Sequence, residues 1–156
     1  MDCGYFQTPW GLLELRADGS ALTGCDFCAG APSGGAPGPV IRLALRELRD
    51  YFEGTLHTFS VPLAPEGTAF QQLVWSVLRQ IPYGERVSYQ AVAESIGKPM
   101  AARAVGAAIG KNPIWIFIPC HRVFGKGGEL TGYAGGLEMK RALARLEHIP
   151  CPAGVS

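Results

Sequence analysis

The chain changes its hydrophobic rhythm partway along its length. From Tyr5 to Leu22, short apolar stretches stand on either side of Thr8-Pro9 and Asp18-Gly19. Turn residues flanked by apolar runs are hairpin signals, so consecutive antiparallel strands are predicted. Gly30 to Pro39, rich in Gly, Pro, Ala and Ser, reads as a flexible surface loop. Ile41, Ala44, Leu45, Leu48, Tyr51 and Phe52 then recur at helical spacing and stop at Gly54. That pattern predicts an amphipathic helix packed on the strands, and so a small α/β unit. Pro62-Leu63-Ala64-Pro65-Glu66-Gly67 reads as a linker.

Beyond the linker the period is helical. Thr68 is placed to cap a helix whose Phe70, Leu73, Val74, Val77, Leu78 and Ile81 share a face, and Ile81-Pro82-Tyr83-Gly84 ends it. Ser88 caps a second helix carrying Tyr89, Val92, Ala93 and Ile96 on one side, closed by Gly97-Lys98-Pro99. A third helix, Ala101 to Ile109, follows at once and is built almost wholly of Ala and Gly around Arg103. Two short helices about a tight turn make a helix-turn-helix candidate, although packed helical hairpins without DNA share that pattern. Ile114 to Ile118 is predicted as a buried strand, and Met139, Ala142, Leu143 and Leu146 mark a C-terminal helix. The domain division this implies is 1–66 and 67–156.

Composition narrows the class. With 156 residues, 47% hydrophobic and 17% charged, the chain is expected to fold, burying roughly two thirds of its unfolded surface without disulfide staples. No apolar run approaches the roughly 20 residues that cross a bilayer, and Met1-Asp2-Cys3-Gly4 does not open a signal peptide. Five cysteines, Cys3, Cys25, Cys28, Cys120 and Cys151, form no regular framework. An odd count of this kind points to a reducing compartment, and a cytoplasmic location is expected. The net charge of +1 hides a division: four Lys or Arg against eight Asp or Glu through Ala69, then ten against five. The basic half is compatible with a polyanionic partner, or with a mixed solvated surface.

The chemistry concentrates in Ile118-Pro119-Cys120-His121-Arg122-Val123, where an apolar segment ending in Pro brings a thiol and an imidazole to the rim of a core. A thiol attacks only as the thiolate, and an imidazole can take its proton. In an extended segment these neighbours would face opposite ways, so His121 needs a turn or a bridging water to reach Cys120. Pro119 and Gly125 to Gly128 supply a chain reversal, and Glu147 on the last helix is a candidate orienting carboxylate. A buried, inert Cys beside a core His is the alternative.

Pro119 to Val123 resembles the signature of the O6-alkylguanine-DNA alkyltransferases, also called methylated-DNA–protein-cysteine methyltransferases. Gly67-Thr68-Ala69-Phe70-Gln71, Val74-Trp75, Ile81-Pro82-Tyr83-Gly84, Val87-Ser88-Tyr89, Ala102 to Gly106, Lys111-Asn112-Pro113, Gly132 to Leu137 and Leu146-Glu147 resemble family segments in the same order. The resemblance implies a ribonuclease-H-like N-terminal α/β domain and a mostly α, winged-helix-like C-terminal domain. It implies irreversible, single-turnover transfer of the alkyl group of O6-alkylguanine in double-stranded DNA to Cys120, with O4-alkylthymine as a further candidate substrate. His121 would act through water as base, Glu147 would orient His121, and Asn112 would hold the turn beside the cysteine. Tyr89 would donate to N3 of the departing guanine, the backbones of Val123 and Ala134 would read the base edge, and Tyr133 would line its pocket. Arg103 would take the place of the extruded nucleotide, with Ala102, Ser88 and Arg122 completing the DNA surface.

The resemblance implies no cofactor and no obligatory protein partner, and a monomer is expected. Some members carry zinc in the N-terminal domain, but the spacing of Cys3, Cys25, Cys28 and His57 matches no such site, so ordinary thiols and no metal are expected. Trp115 stands where relatives carry a small residue or proline, facing either the alkyl pocket or the core. The rival readings are an alkyltransferase-like lesion-binding protein, which lacks the acceptor cysteine, a helix-turn-helix regulator without chemistry, and a cysteine hydrolase.

Overall fold

Thr8 closes the first chain reversal. Its hydroxyl accepts from the N–H groups of Trp10 and Gly11 at 3.2 and 3.1 Å and donates to the Gly11 carbonyl at 2.6 Å. The flanking strands, β1 (Asp2–Thr8) and β2 (Gly11–Ala17), pair antiparallel from Thr8 opposite Gly11 to Asp2 opposite Ala17. Asp18 makes the second reversal by accepting from the N–H groups of Ser20 and Ala21, both at 2.9 Å. β3 (Leu22–Phe27) then completes a sheet of order β1-β2-β3. These features belong to a computed structural model that describes residues 2–32 and 36–150. The expected flexible loop from Gly30 to Pro39 falls partly outside the described residues, and Cys151 wholly so.

The strand period of two puts Leu13, Leu15 and Ala17 on one buried face. α1 (Pro39–Phe52) covers the sheet with Ile41, Ala44, Leu48 and Tyr51. The approach is close enough that a Cβ on Gly4 would lie 2.4 Å from Ile41, so a bare backbone is needed there. Glu47 on the same helix is buried, and its carboxylate accepts from Ser60 N, Ser60 Oγ and Val61 N at 2.6–3.1 Å. A buried carboxylate satisfied in this way fixes the segment that follows the helix.

By its internal contacts the chain divides into two units, Met1–Glu66 with Pro113–Trp115, and Gly67–Asn112 with Ile116–Ser156. The return of Pro113–Trp115 to the first unit corrects the expected strand. Cys25 N–H donates to the Pro113 carbonyl and Trp115 N–H to the Cys25 carbonyl, both at 2.9 Å. Ile114 to Ile118 are all buried, but the chain enters a turn at Ile116, whose φ is +75°. A β-branched residue in the left-handed region costs about 1–3 kcal/mol and marks a change of direction. An apolar run reports burial, and here burial was mistaken for extension.

In the second unit α2 (Ala69–Leu78) starts with a reciprocal cap. The Thr68 hydroxyl accepts from Gln71 N at 3.1 Å, and the Gln71 side chain accepts from Thr68 N at 2.9 Å. Its buried face is Val74, Trp75 and Leu78, while Leu73, expected on that face, is 43% exposed. α3 (Tyr89–Ser95) is capped by Ser88, which accepts from Ala91 N at 3.0 Å, and α4 (Ala102–Gly110) follows a short turn. Trp75 Nε1 donates to the Ala108 carbonyl at 2.9 Å, locking α2 against α4. β4 (Val87–Ser88) and β5 (Val123–Phe124) pair in parallel beside this helix pair, and α5 (Leu137–Leu146) closes the unit.

α1, α3 and α5 end alike, with a left-handed residue and paired backbone bonds that satisfy the last carbonyls. At α3 Gly97 N–H donates to Glu94 O and Lys98 N–H to Ala93 O, and at α1 Gly54 N–H donates to Tyr51 O and Thr55 N–H to Asp50 O. α5 makes the same pair, from His148 to Arg145 and from Ile149 to Ala144, but with His148 at φ +61° where the others have glycine. Ile149 tucks against Ala144 and Phe124, completing the motif. Because a non-glycine residue costs about 1–2 kcal/mol in this conformation, His148→Gly is expected to stabilise the protein by about 1 kcal/mol. Urea unfolding monitored at Trp fluorescence checks this, the expected sign being a higher midpoint at unchanged slope.

Candidate active site

Cys120 lies on a single 3-10 turn, Cys120–Arg122, launched by Pro119. That turn provides the departure from extended backbone that the Cys-His pair required. The thiol is buried, and Asn112 Nδ2 donates to Cys120 Sγ at 3.2 Å and to the Ile118 carbonyl at 3.0 Å. Asn112 therefore holds both the sulfur and the chain that presents it. Burial pushes the thiol pKa up to about 11, against the opposing pull of Asn112, the Lys140 charge and Tyr133. The sulfur faces a cavity of about 310 Å³ also lined by Tyr89, Gly106, Gly110, Gly132, Tyr133 and Ala134. A Cβ at Gly110 or Gly132 would meet no atom within 4 Å, so the missing side chains there leave open space.

His121 is fully buried, and its Nε2 stands 2.6 Å from Glu147 Oε2. Arg122 binds the same carboxylate with Nε at 2.8 Å and Nη2 at 3.1 Å, and Gly84 N–H adds a bond of 3.1 Å. Burial, chiefly, drives the His121 pKa below its ordinary value, with Glu147 opposing and Arg122 and Lys140 reinforcing the shift. The imidazole is thus neutral near pH 7. Beside an ionised carboxylate its proton belongs on Nε2, which makes Nδ1 the basic nitrogen.

A second buried polar group was not foreseen. Lys140 has no exposed surface, and its ammonium donates to the Val123 carbonyl at 2.6 Å and to the carbonyl and hydroxyl of Thr131, both at 3.2 Å. The Thr131 hydroxyl in turn lies 2.6 Å from the Tyr89 hydroxyl at the cavity wall. A signal existed in the sequence, since Lys140 occupies the apolar stripe of α5 formed by Met139, Leu143 and Ala144. A lysine on a core face needs buried acceptors.

The structure brings Cys120, Tyr89, Tyr133 and Ala134 to one cavity, bonds Asn112 to the Cys120 sulfur and joins His121 to Glu147. Arg103 is exposed on α4, Ala102 is half-buried at its start, and Ser88 is half-buried as the α3 cap. Two expectations are corrected. Arg122 is not a DNA-surface residue: it is buried, paired with Glu147, and donates to the Ile81 carbonyl at 2.6 Å. A guanidinium with its fork on a buried carboxylate has no reach to a phosphate. Trp115 is not on the cavity wall: it packs edge-on against Phe27, 5.1 Å between centroids, in the first unit. Val123, whose backbone was expected to read the base edge, is fully buried, with its N–H bonded to the Cys120 carbonyl and its own carbonyl accepting from Lys140.

Fold and site together define a helix-turn-helix unit that carries a buried cysteine thiol at a small cavity beside its helices. The comparisons with known proteins identify the family. Residues 69–149 match the model of the 6-O-methylguanine DNA methyltransferase DNA binding domain, and residues 1–65 match that of the ribonuclease-like domain. The methylated-DNA–protein-cysteine methyltransferase of Methanosarcina acetivorans is 46% identical over 148 residues, covering 91% of this chain and 95% of that protein. The Mycobacterium tuberculosis protein of the same name is 47% identical over 155 residues, covering 96% and 94%. The crystal structure of Mycobacterium tuberculosis OGT in complex with DNA superposes with a TM-score of 0.83 at 47% identity, covering 96% of this chain and 94% of that one. This chain belongs to the 6-O-methylguanine DNA methyltransferase family.

Two outcomes follow from the geometry. Alkylation of Cys120 by iodoacetamide is expected to rise about ten-fold per pH unit from pH 7 to pH 10, because the thiolate fraction grows until the pKa is reached. Mass spectrometry of the Cys120 peptide measures it, and a plateau below pH 8 would contradict a raised thiol pKa. Trp115→Ala is expected to lose about 3–5 kcal/mol of stability while leaving the ratio of methyl to benzyl transfer unchanged, since the ring fills a core and not the cavity.

Proposed function

We propose that this protein repairs double-stranded DNA by transferring the alkyl group of O6-alkylguanine, methyl foremost, to its own Cys120, once per molecule and without a cofactor. The observation that carries the reading is the Cys120 sulfur, held by Asn112 at a cavity whose wall includes Tyr89, in a chain of this family. The sulfur lone pair forms the S–C bond as the C–O6 bond breaks, and the released electron pair enters the purine ring. The thiol loses one proton and the purine gains one, so thiol and alkoxypurine become thioether and guanine. His121, neutral and anchored by Glu147, takes the thiol proton through water.

The raised thiol pKa sets the problem the site must solve. A thiol with a pKa near 11 is almost wholly protonated at pH 7, so proton removal has to accompany substrate binding. The leaving purine has the matching need for a proton, and Tyr89 supplies a donor where charge develops. A base stacked in a duplex cannot reach a buried sulfur, which requires the nucleotide to be extruded. Arg103, exposed on a helix face otherwise lined by Ala104 and Ala107, fills the vacated stack. The shallow side chains beside it allow close approach to the minor groove, where little sequence is read. The cytoplasm, being reducing, keeps Cys120 as the thiol the reaction consumes.

Incubation with a duplex containing O6-methylguanine is expected to replace one hydrogen by one methyl on Cys120 alone, with no second turnover. Intact-mass and peptide analysis check this. Label on Cys3 or Cys28, or repeated turnover, would contradict the reading. Arg103→Ala is expected to slow duplex repair by about ten-fold or more while leaving the reaction with free O6-methylguanine unchanged, because only the duplex imposes an extrusion cost of a few kcal/mol.

A further inference from the structure

The Thr131 side chain joins two groups that the reaction places far apart in kind, a buried cation and a phenol at the cavity. Lys140 has three N–H donors and no acceptor. With one of them directed at Thr131 Oγ1, that oxygen is already an acceptor, and its single proton is left to give. The Tyr89 oxygen stands 2.6 Å away, a short separation even for O–H···O bonds.

We propose that Thr131 is a positioning residue for the departing guanine: its hydroxyl, held by the Lys140 ammonium, donates to the Tyr89 oxygen and turns the Tyr89 O–H into the cavity. This rests on the reading of Tyr89 as the proton donor to the purine. Donation then runs in one direction, from ammonium to hydroxyl to phenol. Each bond polarises the next, and most strongly where a buried charge starts the series. A phenol whose oxygen accepts such a bond is a stronger donor through its own O–H and needs no reorientation when the base arrives. As the C–O6 bond breaks, its electron pair moves onto the purine and the Tyr89 proton passes to the ring nitrogen. Solvent returns a proton to the phenolate, balancing the one that Cys120 released.

The opposite arrangement, Tyr89 donating to Thr131, aims the phenol proton away from the cavity. In that case removing the Thr131 hydroxyl would free Tyr89 and speed transfer. The two directions therefore give opposite signs. Lys140 is anchored independently by the Val123 carbonyl at 2.6 Å and the Thr131 carbonyl at 3.2 Å and stands over the Phe124 ring at 5.0 Å, so loss of the Thr131 hydroxyl leaves the cation three partners.

The test compares full-length wild type with Thr131→Val, Thr131→Ala and Thr131→Ser. Single-turnover rates are measured with O6-methylguanine DNA, with free O6-methylguanine and its 8-bromo derivative, and with iodoacetamide. The Val and Ala variants are expected to transfer methyl from DNA about ten-fold to one hundred-fold more slowly, with Ser restoring most of the rate. The penalty should shrink for the 8-bromo base, which leaves more readily without a proton. The iodoacetamide rate, which involves no purine, should stay within about two-fold of wild type. A Val or Ala rate equal to or faster than wild type overturns the proposal, as does an equal loss on both bases or on iodoacetamide. Should Val not fold, Ala removes the hydroxyl without filling the space. Wild type placing no methyl on Cys120 would instead refute the alkyltransferase reading itself.

Discussion

A buried carboxylate organises the catalytic unit. Glu147 has no exposed side-chain surface and accepts from His121, from two nitrogens of Arg122 and from Gly84 N–H. A carboxylate and a guanidinium taken out of water lose several kcal/mol of hydration each, which is recovered only when every lone pair finds a donor. Such a pair is a poor source of net stability but costs about 3–5 kcal/mol to break from one side, because the remaining charge is then stranded. Its effect is to specify an arrangement. Three separate segments meet on it: the 3-10 turn of the cysteine, the Pro82-Tyr83-Gly84 turn and the end of α5. The turn is held again by Tyr83, whose hydroxyl donates to the Leu146 carbonyl at 3.2 Å and whose ring lies under Arg122. Glu147 can take this position because the left-handed His148 stops the helix one residue later.

Lys140 is the second pole, two turns before Glu147 along α5. It ties the loop at Thr131 to β5 at Val123, as Glu147 ties the cysteine turn to α5. The buried Cys120 sulfur has its proton retained by desolvation and its position fixed by Asn112. At rest the sulfur is thus buried and uncharged. That arrangement suits a protein whose nucleophile is spent by a single reaction, since an exposed thiolate would be lost to other electrophiles first.

Much of this was legible in the residue pattern. The hairpin turns at Thr8-Pro9 and Asp18-Gly19, the caps at Thr68 and Ser88 and the stops at Gly54 and Gly97 are local devices whose partners lie within a few residues, and each appears where the pattern put it. The Cys120 signature and the small helix bearing Arg103 were equally visible. What escaped depends on long-range partners. Arg122 looks like a surface cation until Glu147, 25 residues away, is seen to bind it. Trp115, a large residue where relatives carry a small one or proline, is open to the pocket or the core by sequence alone, and the turn at Ile116 with the packing on Phe27 decides for the core. Thr131 and Lys140 gain meaning only when the fold brings them to Tyr89.

The proposed function depends on Glu147 holding His121 as a neutral imidazole with its proton on Nε2 and Nδ1 as the basic nitrogen. Nitrogen-15 NMR of the unreacted, histidine-labelled protein reads this directly, because the two ring nitrogens differ sharply in chemical shift between tautomers and the imidazolium. At pH 7.5 the His121 ring is expected to show one protonated and one unprotonated nitrogen, with the proton on Nε2. A ring protonated on Nδ1, or an imidazolium at pH 7.5, would contradict this arrangement.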